Sequence, residues 1–175
     1  MNFNNRDWIW KRINHELTYK NDYIFNKGNN EYNSILYNLT SQVTVFNSEN
    51  YVGSYLGKIH IKNFCNTIFD EVIVYVNDDY PFRAPLLILN NKEYVKYYKK
   101  LYDISIDFIR ENNIPVICPC CDSITCSWSP SYKIWDIILE MLKFEDSISK
   151  IYNFHLIYKL DIDLLIINKI KEYLF

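Results

Sequence analysis

Apolar residues recur along this chain with two periods, one near 3.6 and one of 2. Trp10, Ile13 and Leu17 stand three and four apart, the spacing that places them on one face of a helix. Asn5 or Asp7 can cap it, and His15 and Glu16 fall elsewhere on the helix, on its solvated side. Residues 21–34 read as loop, with Gly28-Asn29-Asn30 as the turn. The period then changes to two. Residues 41–47 set Val43 and Val45 on one side; residues 55–62 turn Ile59 and Ile61 inward and Lys58, His60 and Lys62 outward; residues 70–76 align Val72, Val74 and Val76. A fourth strand, Leu86–Leu89, is short and wholly apolar. Short strands in near-consecutive order predict an antiparallel meander.

Between the third and fourth strands stands DDYPFRAP, residues 78–85. Pro81 and Pro85 cannot donate to a ladder and stiffen the crossing chain, while Tyr80 and Phe82 can cover the open end of the sheet. Helical spacing returns over 92–111, with Val95, Leu101, Ile104 and Phe108 as a stripe and Tyr94, Tyr97, Tyr98 and Tyr102 as wall and core. A further helix is expected to start at Ser129, with Ser129 as N-cap, Pro130 in the first turn and Ile134, Ile137, Ile138, Met141 and Leu142 buried. A last helix covers 161–174. Helix, four strands and further helices make an α+β domain, expected over 1–148, with 149–175 as a helical extension packed on or beside it.

Composition narrows the partners. A net charge of −2 leaves no basic footprint for nucleic acid and no polybasic membrane patch. The polar N-terminus has no apolar signal region, and no apolar run is long enough to span a bilayer. The expected compartment is the cytosol, with entry to the nucleus by diffusion. There, five cysteines are thiols or metal ligands rather than disulfides.

Four of them fall in ICPCCDSITCSWSP, residues 117–130. Cys118, Cys120, Cys121 and Cys126 are a candidate zinc set, or three of them with Cys65. Zinc sites of this type use two separate knuckles, whereas these cysteines share one loop, and adjacent Cys120 and Cys121 face one ion only with strain. A reactive thiol and inert small-apolar packing are the other two readings of the same residues.

The element order, with Tyr80-Pro81-Phe82 and Pro85 closing the sheet and Cys120-Cys121-Asp122 leading to Trp128-Ser129-Pro130, resembles the ubiquitin-conjugating enzyme family over about residues 5–145. It is most similar to the divergent versions found in large DNA viruses, in keeping with abundant Asn, Ile, Lys and Tyr. The resemblance implies the ubiquitin-conjugating fold and a transferase that carries ubiquitin or a ubiquitin-like modifier as a thioester. Its partners would be that modifier, an activating enzyme and a ligase, in the host cytosol for a viral protein, with no cofactor. Family spacing from Trp128 points to Cys120 as the thiol; looser spacing admits Cys118 or Cys121. The family's His-Pro-Asn tripeptide is absent, and Arg110-Glu111-Asn112-Asn113 stands in its place. Asn112 or Asn113 would then supply the oxyanion amide, and Asp122 would orient or deprotonate the incoming lysine. The competing expectation is an inactive binding module of the same fold, its cysteine loop packed or zinc-bound. The C-terminal segment also faintly resembles the opening helices of an F-box through Ile162, Ile170, Tyr173 and Leu174; an amphipathic helix packing back on the domain explains the same residues.

Overall fold

The computed structural model describes residues 3–18, 40–45, 55–62, 71–89, 91–160 and 162–175. Among these, the chain runs through helix α1 (Phe3–Thr18), strands β1 (Thr40–Val45), β2 (Tyr55–Lys62), β3 (Glu71–Asn77), β4 (Leu86–Leu89) and β5 (Lys92–Glu93). Helices α2 (Tyr94–Ile104), α3 (Ile106–Glu111), α4 (Ile134–Tyr158) and α5 (Leu164–Leu174) follow. The sheet is an antiparallel meander in the order β1-β2-β3-β4-β5. Its register runs from Val45 opposite Gly57 through Ile61 opposite Val72 to Tyr75 opposite Leu86. The fold is α+β, and the two-residue β5 adds a fifth strand to the expected four.

The alternation on β2 and β3 puts Ile59, Ile61, Val72, Val74 and Val76 wholly inside, where α4 covers them with Ile134, Ile137, Ile138 and Met141 and α1 with Ile9 and Ile13. Each such side chain contributes roughly 1.5–3 kcal/mol of apolar burial. His60 is half-buried on the opposite face, its Nδ1 3.5 Å from a Glu71 carboxylate oxygen. A second apolar cluster joins Phe108, Ile109 and Ile114 to Ile151, Phe154 and Ile167. Helix α4 belongs to both clusters and runs unbroken through residue 148. Helix α5 opens on Asp163, whose carboxylate accepts the Leu165 N–H at 2.7 Å. It sets Ile167, Ile170 and Leu174 against the second cluster and leaves Tyr173 at the surface. No helix among the described residues is long and apolar enough to cross a membrane.

Several expectations are corrected. Helix α1 begins at Phe3, so Asn5 and Asp7 are helical rather than capping positions. Glu16 is not solvated: it is 4% exposed and accepts hydrogen bonds from across the fold. The stretch 92–111 breaks at Ser105, whose N–H bonds back to the Tyr102 carbonyl. That break resets the helical phase, leaving Ile104 exposed while Phe108 and Ile109 turn inward. Tyr80 is buried as expected, but Phe82 is 74% exposed. The helix after the cysteines starts at Ile134, not near Ser129. A turn around Pro130, closed by the Tyr132 N–H on the Ser129 carbonyl, comes first. The first N–H groups of α4 find other acceptors: Ile134 donates to Glu16 at 3.0 Å, while the N-cap Lys133 donates its own N–H to Asp136 at 2.8 Å.

Candidate functional site

The cysteine loop hangs between the end of α3 and the start of α4. Asn113 has φ of 47°, in the left-handed region that asparagine tolerates better than most residues. With it, the Ile114 N–H reaches back to the Ile109 carbonyl and stops the helix. The side chain of Asn112 serves the same end, since its Nδ2 donates to the Phe108 carbonyl at 2.9 Å. Its backbone carbonyl accepts from Lys171 on α5. The two asparagines singled out as amide donors thus stand at a helix end, and the amide of Asn112 is engaged within its own helix.

Further along, the chain folds into a tight turn, with the Asp122 N–H donating to the Cys118 carbonyl at 3.2 Å. This turn gathers three sulfurs. Cys118 Sγ lies 3.0 Å from Cys120 Sγ, and Cys120 Sγ lies 3.4 Å from Cys121 Sγ. All three lie within 4.8 Å of one another, close enough to hold one metal ion. Adjacency of Cys120 and Cys121 therefore does not keep their sulfurs apart, against the expectation from spacing. Cys126 points elsewhere: its thiol donates to the Cys120 carbonyl at 3.2 Å. Cys65 lies outside the described residues.

The sulfurs are electrically unequal. Partial burial raises the Cys118 thiol, but the thiol of Cys120 and the N–H groups of Cys120 and Cys121 aim at its sulfur and leave it below the ordinary range. Cys120 is pushed up to about 12, first by its hydrogen bond to Cys118, then by that to Cys121. Of the two, Cys118 is thus the more readily ionised sulfur.

Spacing does not reveal what anchors this loop. Glu140 on α4 accepts the Ile124 N–H at 2.7 Å, the Ser123 hydroxyl at 3.0 Å and the Tyr94 hydroxyl at 2.5 Å. Ser123 is buried, and Thr125 lies 2.8 Å from its hydroxyl. The phenol of Tyr94 is held far above its usual range, by burial first and then by the Glu140 charge, so it stays a donor. One signal in the sequence marks Glu140: it is an acidic residue beside Ile137 and Met141 on the apolar side of α4.

Two openings flank the loop. A groove of about 550 Å³ runs along α2, lined by Val95, Lys96, Lys99, Lys100, Asp103, Ile104 and Cys120. Asp122 is exposed on the other side, at a smaller cleft shared with Ile124, Tyr132 and Lys143. The Trp128 indole N–H donates to the Pro81 carbonyl at 2.7 Å, and its ring lies 6.3 Å from that of Tyr80. Trp128→Phe keeps most of that packing but leaves the carbonyl unpaired. It is expected to cost about 1 kcal/mol in urea unfolding, with no change in the slope of the transition. Together these bonds make a fixed platform for an accessible group of thiols, able to hold a soft metal ion or to present a nucleophile. No family model, no curated protein and no solved structure matches the chain.

Proposed function

We propose that this chain is a ubiquitin-conjugating-type domain that carries ubiquitin or a ubiquitin-like modifier as a thioester on Cys120. The observation that carries the reading is the Trp128–Pro81 hydrogen bond. It ties together the two stretches on which the family resemblance rests, Tyr80-Pro81-Phe82 and Trp128-Ser129-Pro130. Cys120 precedes Trp128 by eight residues, in the loop that leads to it.

In loading, the raised Cys120 thiol hands its proton to the Cys118 sulfur, 3.0 Å away, as it attacks the carbonyl of an activating enzyme's thioester. The old carbon–sulfur bond breaks, and that proton passes on to the departing thiolate. In discharge, a lysine amine attacks the new thioester, Cys120 leaves as thiolate, and the amine gives up a proton. Asp122, exposed and two residues along the chain, is the carboxylate proposed to receive it. Because the Asn112 amide is engaged at Phe108, it does not supply an oxyanion donor as it stands. Loss of one such donor costs roughly 10²–10³ in rate. If Asn113 does not reach the thioester either, discharge is expected to be slow relative to loading.

The test uses reduced, chelator-treated protein with activating enzyme, ATP and a panel of ubiquitin-like modifiers. A thiol-reducible adduct in the wild type that disappears in Cys120→Ser supports the proposal. An unmodified wild type across the panel, or an equal reducible adduct in Cys120→Ser, overturns it. The engaged Asn112 amide also favours a second reading, a non-catalytic binding module of the same fold. Under it, no modifier would load, while untreated protein would still bind one non-covalently.

A further inference from the structure

We infer that Cys118, Cys120 and Cys121 form a three-thiolate site for zinc(II), with the fourth position of the ion open to solvent. The inference stands on the arrangement of the sulfurs and does not rest on the carrier reading. Zinc–sulfur bonds of about 2.3 Å in a tetrahedron hold ligand sulfurs about 3.8 Å apart. The sulfurs here are 3.0 and 3.4 Å apart along the chain, and all three fall within 4.8 Å of one another. Small χ rotations bring such a set onto one ion.

The surroundings suit a bound ion. The turn that carries the sulfurs is closed by the Asp122 N–H on the Cys118 carbonyl at 3.2 Å. The loop behind the sulfurs is held by Glu140 through Ile124 and Ser123, so little order remains to be gained on binding. A zinc ion with three thiolates carries a net charge of −1. Lys100 lines the groove that Cys120 faces and helps offset that charge, while Lys96 and Lys99 beside it are already paired with Glu93 and Asp103. Cys126, the other cysteine of the loop, bonds to a backbone carbonyl and is not a ligand. An ion at this site takes Cys120 as a ligand, so metal occupancy and acylation of that sulfur exclude each other.

The full chain, reduced and freed of metal, is titrated with cobalt(II) as a coloured stand-in and then with zinc(II). One equivalent of cobalt should produce sulfur-to-cobalt charge-transfer absorption, and zinc should abolish it. Loss of an outer-shell partner alone costs metal sites about 10–100-fold. Cys118→Ser, Cys120→Ser and Cys121→Ser should each therefore weaken binding by more than about 100-fold, and Cys126→Ser should leave it unchanged. A second measurement needs no variant: zinc should shield Cys118, Cys120 and Cys121 of the folded wild type from iodoacetamide and leave Cys126 reactive. Absence of the charge-transfer band, its survival in Cys121→Ser, its loss in Cys126→Ser, or alkylation unaffected by zinc would each overturn the site.

Discussion

Glu16→Ala is expected to lower the unfolding free energy by about 3–5 kcal/mol, the range for breaking a buried, hydrogen-bonded charge network from one side. The carboxylate receives the Tyr80 hydroxyl at 2.7 Å on both oxygens, the Ile134 N–H at 3.0 Å and the Arg12 guanidinium at 2.8 Å. Alanine would leave a buried phenol, the first N–H of α4 and a partly buried cation without their acceptor. Burial, with the Glu16 charge second, holds the Tyr80 hydroxyl well above its usual range, so it cannot compensate by ionising. Arg12 also donates to the carbonyls of Pro130 and Tyr132, so the loss spreads to the turn before α4. Tyr80→Phe removes one donor while leaving the charge paired, and should cost only about 1 kcal/mol. Urea unfolding of both variants separates the contributions. If the two losses came out equal, the carboxylate would not be the hub described.

The second large effect belongs to Glu140. Glu140→Ala removes the acceptor for Ile124, Ser123 and Tyr94 together and should destabilise the fold by about 2–4 kcal/mol, since the Ile124 N–H loses its partner and the Tyr94 and Ser123 hydroxyls keep only each other and Thr125. A local signature should accompany it. The Cys118–Asp122 turn loses its anchorage, so iodoacetamide should modify its thiols several-fold faster than in the wild type under conditions where both proteins remain folded. Glu140→Gln retains one acceptor oxygen and should fall between. Loss of stability with unchanged thiol reactivity would mean that the loop is held by its own turn rather than by α4.

These two carboxylates also mark the limit of what the sequence discloses. The period-two run locates β2 to the residue, because a one-residue slip would turn Ile59 and Ile61 out to solvent, and the wholly apolar run 86–89 locates β4. Helix α4 is legible in its buried face, yet its start is not. Ser129 and Pro130 carry strong local capping signals, but the acceptor for Ile134 is Glu16, 118 positions earlier. Nothing local announces such a bond. Ile104 and Phe82 count as buried by type and spacing, and a helix break and a turn expose them. The cysteines are visible as a group from their density alone. Their convergence depends on the backbone turn at Cys118–Asp122, and the exclusion of Cys126 depends on a carbonyl it meets only in the folded loop. Asn112 stands at the expected distance ahead of Cys120, but distance along the chain does not specify where an amide points.

Helix α4, 25 residues long, is a shared spine. Ile148 touches the apolar clusters on both sides of it, and Ile151 and Phe154 close the far one over Phe108 and Ile109. Trimming the chain back to residue 148 would uncover that cluster and slacken α3, from whose end the thiol loop departs. A shortened protein that lost its thiol chemistry would therefore report a collapsed support, not a missing reactive group.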